Sequence, residues 1–132
     1  MPEAWDVLVI DDEPVVRDSI RLVLTAAGLT VATAADARSG LAHPAAAGCR
    51  LVLCDLMLPD GDGTEVIRAL HAIRPDLPVV AITGYATLDN ARRAMDEGAT
   101  DFLPKPFEEL ELLDVVRRAL SHGAAVPQER NS

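Results

Sequence analysis

Apolar residues along this chain gather in short blocks separated by polar turns, and the blocks alternate between two periodicities. Trp5-Asp6-Val7-Leu8-Val9-Ile10 is a nearly unbroken apolar run rich in β-branched side chains, and it stops abruptly at Asp11-Asp12-Glu13-Pro14. A run of that kind predicts a strand buried on both faces. Past Pro14 the positions Val15, Val16, Ser19, Ile20, Val23, Leu24 and Ala27 follow helical spacing, with proline early and Gly28 just beyond the end. The same grammar then repeats. Leu29 to Ala34 reads as a strand, Asp36 to about Ala47 as a helix, and Leu51-Val52-Leu53-Cys54 as a third buried strand. Gly63 to Ile73 is helical and Pro78 to Ile82 is a strand. Thr87 is placed to cap a helix from Leu88 to Glu97 that Gly98 stops. Thr100 to Leu103 gives a fifth strand. A last helix runs from about Phe107 to Ser121, with Glu108, Glu109 and Glu111 near its positive end and Arg117 and Arg118 near its negative end.

Five short apolar strands alternating with helices predict an α/β protein, a (βα)5 doubly wound parallel sheet covered on both faces. With 132 residues there is material for one core, so residues 1–121 are expected to form one domain and 122–132 a flexible tail or the start of a linker. A content of 49% apolar and 25% charged residues lies outside the range of disordered chains. Twelve basic against 21 acidic residues leave a net charge of −9, which repels nucleic-acid phosphates and anionic lipid. Binding to nucleic acid by this domain alone, or to a membrane, is therefore not expected. The start carries no basic segment followed by an apolar run, which points to the cytosol. Cys49 and Cys54 flank an apolar run and read as buried thiols, not as a disulfide or metal site.

On a doubly wound sheet, ligands bind outside the carboxyl ends of the strands. The residues there are Asp11 and Asp12 after the first strand, Asp55 after the third, Thr83 after the fourth and Lys105 after the fifth. Singly, each has an ordinary explanation as a turn, cap or surface residue. Together they bring three carboxylates, a hydroxyl and an ammonium to one edge. Lys105 adds a second argument, because it is the only lysine and every other basic residue is arginine. A lysine is a compact charge on a flexible stem, suited to reaching one phosphate oxygen in a crowded pocket. It lies between Pro104 and Pro106, where a cis bond is accessible at modest cost.

These residues resemble the receiver domain of two-component response regulators over about Val7 to Leu120. The resemblance rests on Asp11-Asp12, on Asp55 within Leu53-Cys54-Asp55-Leu56-Met57-Leu58-Pro59-Asp60-Gly61, on Thr83-Gly84, and on Phe102-Leu103-Pro104-Lys105-Pro106-Phe107, in that order. It implies a flavodoxin-like sheet of strand order 2-1-3-4-5. It further implies that Asp55 accepts a phosphoryl group from a sensor histidine kinase or phosphotransfer protein. Mg²⁺ would be held by Asp11, Asp12, Asp55 and the backbone carbonyl of Met57. Thr83 and Lys105 would bind phosphoryl oxygens, and Phe102 would be an aromatic switch residue. Met57 and Tyr85 would line the pocket mouth. The output face would be that of the fourth helix, fifth strand and fifth helix, including Leu88, Arg92, Met95, Asp101 and Arg117, a candidate for homodimerisation or effector docking.

Elementary electrostatics explains why such a site needs a cation. Each carboxylate would repel an incoming phosphoryl charge by roughly 4 kcal/mol per unit-charge pair at about 4 Å and an effective dielectric near 20. A divalent ion reverses that sign, and Mg²⁺ favours carboxylates, waters and a substrate oxygen. The expected product is a transient acyl phosphate, hence a switch and not a multiple-turnover enzyme. Rival readings fare worse. A haloacid-dehalogenase-type phosphatase wants an acid two residues after its nucleophile, where Met57 stands. A flavodoxin-like flavin carrier wants a Ser/Thr/Gly-rich loop where Asp11-Asp12-Glu13 stands. A constitutive receiver-like interaction module would normally have lost one of the five residues. Asp60-Gly61-Asp62-Gly63 reads as a tight turn before a helix, and His43, His71 and His122 read as scattered surface residues.

Overall fold

A computed structural model describes the backbone of residues 5–124 and the side chains of residues 5–121. Strands β1 (Val7–Ile10), β2 (Val31–Ala34), β3 (Leu51–Asp55), β4 (Val79–Thr83) and β5 (Asp101–Pro104) form one sheet in the order β2-β1-β3-β4-β5. All neighbours in it are parallel. Helices α1 (Pro14–Ala26), α2 (Ala37–Ala42), α3 (Gly63–Ile73), α4 (Leu88–Asp96) and α5 (Glu109–Ala124) complete the alternation. The expected (βα)5 flavodoxin-like arrangement and its strand order are both present.

Alternation along each strand sends residues to opposite faces, which is why the apolar runs are continuous. Val7, Val9, Leu51, Leu53, Val80 and Ile82 pack with Ile20 and Leu24 of α1 and Leu112, Val115 and Val116 of α5. Leu8, Ile10, Val52, Cys54, Val79 and Ala81 pack on the other face with Val66, Ile67 and Leu70 of α3 and Ala94 of α4. Cys49 and Cys54 are fully buried, and burial pushes both thiols up, so neither is a thiolate at neutral pH.

Several expected boundaries shift for identifiable reasons. The single helix expected from Asp36 to Ala47 is broken. Pro44 holds His43 in an extended conformation, φ −67° and ψ 136°, so α2 ends at Ala42 and Pro44–Ala47 forms a 3₁₀ turn. Helix α5 begins at Glu109, not Phe107, and continues to Ala124, past the expected end at Ser121. The rest of the expected tail, 125–132, lies outside the described residues. Val15, Ser19 and Ala27 fall in the apolar spacing of α1 yet are exposed, Val15 at 76%. The sheet beneath α1 accommodates only Ile20 and Leu24 fully, while Val15 faces the space beyond the strand ends.

Two of the histidines are not simple surface residues. His43 Nδ1 accepts from the Ala45 N–H at 2.9 Å, and the ring meets Trp5 edge-on at 5.3 Å. His71 Nε2 lies 2.8 Å from the Leu77 carbonyl oxygen. The side chain of His122 lies outside those described. The Asp60–Gly63 segment is the expected tight turn, elaborated into a two-residue antiparallel ladder between Met57–Leu58 and Gly61–Asp62. Asp62 then caps α3 by accepting from the Thr64 N–H at 2.9 Å. Gly63 is demanded by packing. A Cβ there would run into the carbonyl oxygen of Asp55 and stand 2.7 Å from Leu56 Cα.

Candidate functional site

Parallel register carries the five singled-out residues to one edge. Ile10 pairs with Cys54, so Asp11 and Asp55 leave adjacent strands side by side, while Asp55 pairs with Ile82 and Thr83 with Pro104. Asp11, Asp55 and Thr83 are buried, whereas Asp12 is exposed. Above them opens a cleft of ≈ 720 Å³ lined by Asp12, Glu13, Asp55, Thr83 and Lys105, with Met57 and Tyr85 at its rim. Those last two side chains are 54% and 63% exposed.

Lys105 is the hub. Its Nζ donates to Asp55 Oδ2 at 2.9 Å and to Glu13 Oε1 at 2.7 Å. Nζ also lies 2.9 Å from Asp11 Oδ2, where the pair acts through charge, because the geometry is not that of a hydrogen bond. The second oxygens of Asp55 and Asp11 are held by the backbone. Asp55 Oδ1 accepts from the Met57 N–H at 3.0 Å, and Asp11 Oδ1 from the Glu13 N–H at 2.9 Å. The Lys105–Pro106 bond is cis, and the Lys105 N–H donates to the Thr83 carbonyl oxygen at 2.8 Å. Thr83 Oγ1 accepts from the Tyr85 N–H at 3.0 Å, which leaves the hydroxyl proton to donate elsewhere.

Electrostatics follow from this crowding. Burial pushes the Asp11 carboxyl above the usual carboxylate range, against the pull of the Glu13 N–H and the Lys105 ammonium, and the charge of Asp55 adds to the rise. Burial alone would lower the Lys105 pKa, but its contacts with Glu13, Asp11 and Asp55 outweigh that and hold it above the ordinary lysine value. The ammonium is therefore charged at all physiological pH values.

Asp11, Asp12 and Asp55 each offer a carboxylate oxygen, and these atoms lie within 4.8 Å of one another. Asp11 Oδ2 is buried without a hydrogen-bond donor aligned on it. An oxygen-only donor set with spare acceptor capacity is what hard divalent cations take. Phe102 lies outside this cluster. Its half-buried ring packs against the core group that contains Ala81, Ala94 and Ala99.

Sequence reasoning missed two participants. In the sequence Glu13 is only part of the acidic stop after the first strand, and nothing local signals its reach to a lysine 92 positions away. Arg17, on α1, donates from Nη1 to the Asp11 carbonyl oxygen at 2.8 Å. Its placement one helical turn after Pro14 was the only available cue.

Residues 7–117 match the family model of the response regulator receiver domain. The chain belongs to that family. This receiver domain is the signalling domain of a two-component response regulator. It is 44% identical over 128 residues to the C4-dicarboxylate transport transcriptional regulatory protein DctD of Pseudomonas aeruginosa, a match that covers 94% of this chain and 27% of that protein. The receiver domain thus spans little more than a quarter of that regulator's length. Among solved structures it is similar to a CheY-like response regulator receiver domain protein from Methanospirillum hungatei, with TM-score 0.87 and 31% identity over 94% of this chain and 99% of that one. It is also similar to the beryllofluoride-activated NtrC4 receiver domain dimer, with TM-score 0.84 and 31% identity over 89% of this chain and 98% of that one. Among the described residues, no helix is long and apolar enough to cross a membrane.

Proposed function

We propose that this receiver domain is a phosphorylation switch in which Asp55 is the acceptor. The observation that carries the reading is the position of Lys105 Nζ, 2.9 Å from both Asp55 Oδ2 and Asp11 Oδ2, at the mouth of a cleft that Asp12 and Thr83 also line. One oxygen of Asp55 attacks phosphorus in a phosphohistidine of a sensor kinase or phosphotransfer protein. A P–O bond forms, the P–N bond breaks with its electron pair leaving on the imidazole nitrogen, and the product is an acyl phosphate. Lys105 and the Thr83 hydroxyl are placed to bind the new phosphoryl oxygens. Mg²⁺, held by Asp11, Asp12, Asp55 and the Met57 carbonyl, would offset the negative charge gathered there. Met57 brings no carboxylate to activate water, so the reaction is a single self-phosphorylation followed by slow loss, not sustained turnover.

Turning of Thr83 toward the phosphoryl group draws the end of β4 with it and lets the Phe102 ring move inward, which changes the face of α4, β5 and α5. That face is the docking surface for a second copy or an effector. The setting is cytosolic. Incubation with acetyl phosphate and Mg²⁺ should add one phosphoryl group by intact mass, and chelation or Asp55→Asn should abolish the addition. Full labelling of Asp55→Asn would overturn the assignment.

A further inference from the structure

We propose that Glu13 gates Lys105, by occupying in the unphosphorylated protein the N–H that the ammonium must give to a phosphoryl oxygen. This rests on the reading of Lys105 as a phosphoryl ligand. An ammonium has three N–H groups, and Lys105 Nζ has three carboxylate oxygens within reach: Glu13 at 2.7 Å, Asp11 at 2.9 Å and Asp55 at 2.9 Å. Two of its N–H groups are given to Glu13 and Asp55 and the ammonium also faces the buried charge of Asp11, so a phosphoryl oxygen entering from the cleft meets an N–H that Glu13 already holds. Asp11 and Asp55 are buried, and each is pinned by a backbone N–H through its other oxygen. Glu13 is different. Its side chain is 58% exposed, so water can take over its solvation when the contact breaks, and such exposed pairs hold weakly.

Among the described residues, the Glu13 carboxylate has no hydrogen-bond or ion-pair partner other than Lys105. Glu13 is the N-cap residue of α1, with φ −89° and ψ 114°, yet its side chain makes no capping hydrogen bond. Its negative charge at the cleft mouth also opposes an approaching phosphoryl dianion. Glu13 is thus a positioning residue that retards entry of the phosphoryl group.

Because Lys105 is the only lysine, a sample labelled with ¹⁵N-lysine gives a single ammonium signal. In Glu13→Ala, and in Glu13→Asp, whose shorter arm keeps the charge but loses the contact, ammonium proton exchange should quicken roughly twofold to fivefold without Mg²⁺ or donor, the range an exposed ion pair supports. Phosphorylation by acetyl phosphate with Mg²⁺ should quicken by a similar factor, with final stoichiometry unchanged at one group. Unchanged exchange and rate in both variants would overturn the gate. So would wild-type behaviour of Glu13→Asp beside a fast Glu13→Ala, which would assign the effect to charge alone. If the wild-type protein takes up no label at Asp55, the underlying reading fails, while the ammonium signal still decides the Glu13 contact.

Discussion

Helices α3 and α4 lie on the same face of the sheet, and both follow strands that end at the site, yet they are held by different forces. Helix α3 buries Thr64, Val66, Ile67 and Leu70 and seats Gly63 directly on the Asp55–Leu56 backbone. Helix α4 buries only Ala94, and it turns Leu88 and Met95 outward at 72% and 47% exposure. Its attachments are polar. Thr87 Oγ1 accepts from the Asn90 N–H at 3.1 Å, and Asn90 Nδ2 donates to the Tyr85 carbonyl oxygen at 2.6 Å. Arg93 pairs with Asp62 at 2.6 Å, and Arg68 of α3 pairs with Glu97 at 2.8 Å. Fully burying one large aliphatic side chain contributes about 1.5–3 kcal/mol, whereas an exposed ion pair contributes about 0–1 kcal/mol. The fixed helix is therefore the one behind Asp55, the proposed acceptor, and the adjustable helix carries the proposed output face.

The largest expected effect lies on the fixed side. Ile67→Ala should lower stability by about 2–5 kcal/mol in denaturant unfolding, and a loss below about 1 kcal/mol would erase the contrast between the helices. Thr87→Ala removes a cap and should cost about 1 kcal/mol, with faster amide exchange confined to α4 and its preceding loop. Spread of that exchange into α3 would show the two helices opening together. Combined Arg68→Ala and Arg93→Ala should cost less still. With α4 released from α3, beryllofluoride and Mg²⁺ should perturb the amide signals of α4 at lower ligand concentration than in wild type. Unaltered titration would mean that the ion pairs do not hold the resting position.

The smallest effect is a pH dependence. The hydrogen bonds and charge of Arg68 hold Glu97 below its ordinary value of 4.5. Burial works against ionised Asp62, but the Thr64 N–H and Arg93 outweigh it and hold that group below 3.8. For a carboxyl lowered on folding, the stabilisation is present above the unfolded pKa and is lost as pH falls through the folded one. Protection of α4 amides should therefore decline on acidification below about pH 4.5, while the inner amides of α3 keep theirs. A parallel decline in both helices would break the comparison from the other side.

The difference between the helices also marks how far the sequence could be read. Strands such as Leu51–Cys54 were legible because burial on two faces demands an unbroken apolar run, and the site was legible because topology sends every strand end to one edge. The exposure of Val15 was not legible, since helical spacing tells which residues share a face but not where the sheet beneath them stops. The break at His43-Pro44 hid inside an alanine-rich stretch with good helix propensity on both sides. Links between distant segments had no local signature at all. The pairs Arg68–Glu97, Arg93–Asp62 and Glu13–Lys105 join residues whose types are ordinary for solvated surfaces, and only the fold brings them together.

The bare Cα of Gly63 has a mechanical consequence. Because no side chain separates α3 from the Asp55–Leu56 peptide, β3 and that helix form one solid abutment. Any rearrangement at the Asp55 carboxylate then meets a wall on one side and a polar-tethered helix on the other. On the proposed switch, displacement would run sideways through Thr83 toward α4, so a missing methyl group would set the direction in which the molecule yields.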